Sequence, residues 1–109
     1  MADITCLYQA EQLTKPQLAN LADMLGKISE NHLATESNIV WLPIAKGSGF
    51  TAGKSSSSSL VSIAVPDGYA ATSREKLLGD ICAGWQEITG CSVNEIVASA
   101  IDQSRAKLF

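Results

Sequence analysis

The chain is poor in residues that hold metals and in the charge that attracts polyanions. Its 109 residues include one histidine, His32, and three cysteines, Cys6, Cys82 and Cys91. The cysteines are odd in number and lack metal-ligand spacing. They suit a reducing cytoplasm, with Cys6 and Cys82 as small core residues, and nothing local supports a redox role for Cys91. Eight lysines and arginines stand against eleven aspartates and glutamates, giving a net charge of −3 and a pI near 4.9. That balance gives no reason to expect nucleic acid or an anionic membrane as partner. No apolar run approaches the length of a bilayer span, and the N-terminus lacks the layout of a signal peptide. With 46% apolar and 17% charged residues, the composition is that of a globular chain.

What is present is punctuated secondary structure. Ala2-Asp3-Ile4-Thr5-Cys6-Leu7-Tyr8 reads as a strand that begins almost at the first residue. Chain ends normally fray. A strand starting at residue 2 or 3 either pins the terminal amine at the rim of a sheet or is simply the first strand of a small fold. A fixed amine in apolar surroundings can move protons near neutral pH. Thr14 and Gln17 form a capping-box pattern around Pro16. Leu18, Leu21, Leu25 and Ile28 then recur at helical spacing, predicting a helix from about Lys15 to Leu33. His32 falls near its apolar face at the C-terminal end, where the local reading is a helix-end histidine bonding the last carbonyls.

Ile39 to Ala45 is a second strand, with Pro43 marking an edge position or a bulge. Lys46 to Ser59 is rich in Gly and Ser, a long flexible connection or a loose hairpin. Within it Gly53-Lys54-Ser55 imitates the end of a phosphate-binding loop. The position that must then be glycine is Ser48, and Gly47 and Gly49 each miss it by one. Lys54 reads as a solvated residue. Leu60 to Val65 is a third strand, closed by Pro66-Asp67-Gly68-Tyr69. A second helix starts at a Thr72 or Ser73 cap, carries Leu77, Leu78, Ile81, Trp85 and Ile88, and stops at Thr89-Gly90. Glu95 to Ile101 is the fourth strand, and Asp102 begins a polar tail with at most one helical turn.

The order is strand, helix, strand, twice over. It predicts an α/β (α+β) fold, tandem β-α-β units forming one four-stranded sheet with two helices on one face. The chain reads as a single domain, 1–109, in halves of about 1–46 and 60–109. Yet the strands are apolar on both sides: Leu60 and Ala64 alternate with Val61, Ile63 and Val65. Such strands are buried on both faces. The uncovered face therefore calls for a second copy of the chain, and a homo-oligomer is expected.

With this layout the chain resembles the tautomerase superfamily, which includes 4-oxalocrotonate tautomerase, macrophage migration inhibitory factor and the cis-3-chloroacrylic acid dehalogenase branch. The resemblance covers nearly the full length. It rests on the tandem layout, Ile4-Thr5-Cys6 after the start, the Leu13-Thr14 approach to the first helix and the Trp85-x-x-Ile88-Thr89-Gly90 end of the second. It implies a homotrimer with its site at a subunit boundary, a small carbonyl or unsaturated acid as substrate, and no cofactor. The family's mechanism uses an N-terminal proline freed of methionine, and the matching residue here is Ala2. Once Met1 is removed, Ala2 still offers a primary amine, without the proline ring. With Met1 attached, the amine moves up to about 3.5 Å along an extended chain.

The resemblance gives His32 a role in holding substrate and Asp102 a role in positioning water. A solvated strand end is the alternative for Asp102. The family's carboxylate-binding arginines belong to the turn after the third strand. Here that turn carries Asp67, which repels anions, and no arginine until Arg74. Either the substrate is less acidic, or Arg74 or Lys54 replaces the clamp, or the site is idle; Arg74 as a solvated helix residue is the plain alternative. Tyr69, Trp41 and Phe50 are expected to shape the pocket. Two functions remain: a cofactor-independent isomerase or related lyase or hydratase, and a non-catalytic oligomer of the same fold.

Overall fold

The structure, a computed structural model, describes residues 1–45, 47, 50, 51, 54, 55 and 57–106, with the side chains of 50, 51, 54 and 55 excepted. In chain order the elements are β1 (Ala2–Gln9), α1 (Lys15–Leu33), β2 (Ser37–Ile44), β3 (Phe50–Thr51), β4 (Lys54–Ser55), β5 (Ser59–Val65), α2 (Ala71–Thr89), β6 (Ile96–Asp102) and α3 (Gln103–Ala106). A 3₁₀ turn, Val93–Glu95, precedes β6. The four long strands form one sheet in the order β2-β1-β5-β6. β1 runs parallel to β2, and β5 runs parallel to β6. The two pairs meet antiparallel at the centre, with Ile4 opposite Ile63 and Cys6 opposite Val61. This is the predicted pair of β-α-β units in a single sheet.

β2 is an edge strand, which is where Pro43 can do without a ladder N–H. The Gly/Ser-rich stretch contains a small hairpin, Phe50 opposite Ser55 and Thr51 opposite Lys54. Lys54 thus stands on a strand and not at a helix start. Its side chain, and Ser48, Gly49 and Gly53 of the imitation phosphate loop, lie outside the described residues.

α1 forms as its sequence dictates. Thr14 accepts from the Gln17 N–H at 3.2 Å, and the Gln17 side chain accepts from the Thr14 N–H at 2.9 Å. The helix ends at Ala34, a left-handed residue at φ 51°. α2 departs from expectation: it starts at Ala71 behind Ala70, with no side-chain cap, so neither Thr72 nor Ser73 serves. The Arg74 N–H reaches the Ala70 carbonyl at 2.9 Å, and the Arg74 side chain ties the same turn to its surroundings. Tertiary anchoring replaces the cap. β6 starts one residue later than predicted because Glu95 belongs to a capping box with Ser92.

Both long helices lie on one face of the sheet. Leu21 and Leu25 of α1 and Leu77, Ile81 and Trp85 of α2 close over Ile4, Cys6, Val61, Ile63 and Val65, all essentially fully buried. Each such side chain contributes roughly 1.5–3 kcal/mol. The other face is open, and Val40, Leu42, Leu60 and Val97 on it are 44–49% exposed. Beside them sit Thr5 and a hydroxyl pair, Ser62 and Ser99, 3.1 Å apart.

Two consequences of this packing can be measured. Where the helices cross, a Cβ at Gly84 would lie 2.8 Å from Met24 Cγ. Gly84→Val should cost about 1–3 kcal/mol in urea unfolding, and pairing it with Met24→Ala should recover part of the loss. Burial also pushes the Cys6 thiol from its ordinary 9.0 up to about 12. Folding holds this thiol neutral, so its contribution is complete below pH 9 and is lost as pH rises towards 12. The unfolding free energy of the unmodified chain should therefore fall more steeply across that range than that of Cys6→Ala.

Candidate active site

The strand register gathers the candidate residues at one end of the sheet. Ala2 is opposite Ser37, and Val65 is opposite Asp102. Extending the β1–β5 register by two residues sets Ala2 beside Val65. Ser37, Ala2, Val65 and Asp102 thus form one row, with Ala2 and Asp102 about 10 Å apart at two strand spacings. Ala2 is 1% exposed, and its N–H donates to the Glu36 carbonyl at 2.8 Å. Met1 is 74% exposed.

The turn after β5 comes back over this row. Gly68 takes φ 80°, and the Tyr69 N–H donates to the Pro66 carbonyl at 3.0 Å. Tyr69 is half-buried, and its hydroxyl donates to the His32 carbonyl over a long 3.5 Å. Asp67, in the same turn, accepts from the Ser104 N–H at 3.1 Å and so holds α3.

Arg74 is neither a solvated helix residue nor an open fork. Its Nε donates to the Tyr69 carbonyl at 2.9 Å and one terminal nitrogen to the Ala100 carbonyl at 3.2 Å. The other terminal nitrogen pairs with the Asp102 carboxylate. The two side chains are 27% and 32% exposed, so the pair is only partly solvated. Asp102 ends β6 with a partner and is not a free strand end.

His32 bonds differently from the local expectation. Its Nε2 lies 2.7 Å from Asp80 Oδ2, joining the last turn of α1 to α2, where the sequence alone pointed to terminal carbonyls. It reaches the terminal row through its own carbonyl. Trp41 stands apart from the row, opposite Cys6 in the register. Its ring lies edge-on to Tyr8 at 6.2 Å and 6.4 Å from the ring of Trp85. The Phe50 side chain lies outside the described residues.

A hollow of about 960 Å³ lies on the open face of the sheet. Asp3, Thr5, Val40, Ser62, Asp67 and Ile101 line it. It borders the terminal row through Asp3 and Asp67, although the side chains of Ala2 and Asp102 belong to the helix face. A smaller hollow of about 240 Å³ lies at the other sheet end by Gln12, Trp85, Cys91 and Glu95. There Ser57 and Ser92 hold the Glu95 carboxyl below its usual range. Of these two the first hollow has the greater claim, because it adjoins the terminal row. Among the described residues no group of three or more His, Cys, Asp or Glu could hold a metal ion, and no helix is long and apolar enough to cross a membrane. Sequence reasoning missed the Glu36 carbonyl and Asp80; neither a backbone acceptor nor a partner 48 residues away leaves a local signal.

The Arg74–Asp102 and His32–Asp80 contacts should separate cleanly by mutation. Arg74→Met strands Asp102 and two carbonyls, and should cost about 1.5–3 kcal/mol in chemical unfolding. Asp80→Asn, at a 61% exposed side chain, should change stability by less than about 1 kcal/mol.

No protein-family profile matches the chain, and no curated protein does. Solved structures do. The native Ps01740 structure superposes with TM-score 0.86 at 20% identity, covering 92% of each chain. A fused 4-OT, Q0, described as a wild-type symmetric trimer, gives 0.82 at 12% identity, covering 92% of this chain and 84% of that one. N1, a member of the cis-3-chloroacrylic acid dehalogenase family, gives 0.81 at 14% identity, covering 94% and 77%. The chain therefore has the tautomerase fold.

Proposed function

We propose that the chain assembles as a homotrimer and catalyses cofactor-independent proton transfer on a small carbonyl compound or unsaturated acid. Keto–enol tautomerisation is the central reaction, with hydration or dehalogenation as related chemistry. The observation that carries this reading is the position of the Ala2 nitrogen: at the sheet end, beside a buried residue, held by the Glu36 carbonyl. Freed of Met1, that nitrogen is a primary amine. One N–H keeps the bond to Glu36, and the lone pair is left to take a proton from the carbon next to a carbonyl. Tyr69 supplies a hydroxyl whose bond to His32 is long enough to be exchanged for one to the substrate oxygen. Asp102, fixed by Arg74, is the second acid/base group and orients water. His32 contributes its carbonyl to Tyr69 and its ring to Asp80. Trimer formation is supported by the exposed apolar open face and by the trimeric description of the fused 4-OT structure.

One observation favours a second reading, a non-catalytic oligomer. With Met1 in place the Ala2 nitrogen is an ordinary ladder amide, and all three nitrogens of the Arg74 guanidinium already hold a partner within the chain. Intact mass and turnover together decide. Loss of Met1 with measurable ketonisation of enol phenylpyruvate supports the enzyme. Ala2→Pro, processed to a free terminus, should then raise kcat about tenfold or more, a change of at least ~1.4 kcal/mol in the barrier. A trimer with a free Ala2 amine and no turnover in either form would leave the non-catalytic reading.

A further inference from the structure

We propose that an aminopeptidase removes Met1 and that the primary amine of Ala2 then condenses with an unhindered aldehyde or ketone, forming a protonated imine held by the Glu36 carbonyl. This rests on the free terminal amine of the proton-transfer reading, and it makes that amine a nucleophile instead of a base. The Met1–Ala2 peptide bond already displays the geometry of the product. In that bond the Ala2 nitrogen is planar, bears one hydrogen and carries a carbon besides its own Cα. The hydrogen donates to the Glu36 carbonyl at 2.8 Å, and Ala2 is 1% exposed. A protonated imine nitrogen is likewise planar, with one hydrogen and a double bond to carbon. Its carbon takes the place of the Met1 carbonyl carbon, and its N–H takes the place of the amide N–H. Neither the strand nor the bond to Glu36 has to move. Met1 is 74% exposed, so the place it vacates opens to water.

The hydrogens can be followed through the reaction. The neutral amine has two, and its lone pair forms the new C–N bond as the carbonyl π pair moves to oxygen. One N–H proton passes to that oxygen, and the other stays on nitrogen, donating to Glu36. A second proton, from solvent, lets the oxygen leave as water, and the nitrogen lone pair closes the C=N bond. An ammonium brings three N–H groups to this position, whereas the protonated imine brings one, which the Glu36 carbonyl satisfies completely. A proline here would give an imine with no hydrogen to donate. The C=N bond then withdraws electrons from the neighbouring C–H. Water takes that proton, the C–H pair becomes a C=C bond, and the C=N π pair returns to nitrogen as an enamine that still carries its hydrogen. Protonation at carbon and hydrolysis restore the carbonyl compound and the amine. The substrate class is thus an aldehyde or ketone with a hydrogen on the adjacent carbon.

The test treats the whole purified chain with butanone and cyanoborohydride, which delivers hydride to the imine carbon and fixes the adduct as a secondary amine. Intact mass should show the loss of Met1, and peptide mapping should place one sec-butyl group on the Ala2 nitrogen. At about pH 7.5 a reference α-amine is uncharged in about a third of molecules and a lysine amine in roughly one in a thousand, so the lysines serve as an internal control. The folded chain should label at Ala2 about tenfold or more faster than the same chain unfolded in urea, the scale of one charge-assisted hydrogen bond. Ala2→Gly keeps a primary amine and should keep that advantage, and Ala2→Pro, freed of Met1, should lose it. Retained Met1, label on lysines alone, or equal rates in the folded and unfolded chain overturns the inference. Fold-dependent labelling at Ala2 without ketonisation of enol phenylpyruvate upholds it and sinks the reading of the amine as a base. Ketonisation with no labelling does the reverse.

Discussion

β1 is hydrogen-bonded on both flanks, to β2 from Ala2 through Gln9 and to β5 from Ile4 through Leu7. The rest of the molecule depends on that double pairing. It joins the two β-α-β units, because no other long strands meet across the middle of the sheet. It also fixes which side chains face the helices. A slip by one residue would carry Ile4 and Cys6 to the open face and bring Asp3 and Thr5 into the core. Because β1 cannot slip, Ala2 falls at the rim beside Glu36, and the terminal row has a defined membership.

The two helices are held by different means. α1 is local in design, with a Thr14–Gln17 capping box at its start and a left-handed Ala34 at its end. α2 has no cap of its own and is fastened through Arg74 to two neighbouring elements. Its start is therefore determined by the site end of the molecule. The 3₁₀ turn before β6 repeats the local style, with Ser92 and Glu95 satisfying each other.

This explains what could be read from the sequence. The strands and α1 were legible because alternation, helical spacing and capping are short-range signals. The second apolar sheet face was legible from Leu60 and Ala64 alternating with Val61, Ile63 and Val65, although only Leu60 of the first two is exposed on it, Ala64 being buried. Asp102 and Arg74 were each identified, but not as a pair, because 28 residues separate them and only the fold closes the distance. His32 was placed correctly on its helix, and its bond to Asp80 was invisible for the same reason. Trp41 was read as a pocket residue from its type alone, and its ring contacts with Tyr8 and Trp85 belong to the packed interior side of β2.

The hydrogen bond from Ala2 to Glu36 has a bearing on which residue types can stand at the second position. An alanine nitrogen keeps a hydrogen whether it is an amide or a terminal amine, so this last rung of the ladder is open to the chain with or without its leading methionine. A proline in that position has no hydrogen to give until cleavage occurs. Alanine thus makes closure of the sheet independent of the state of the chain end: the rung needs only a hydrogen on the nitrogen, which the amide and the free amine both carry.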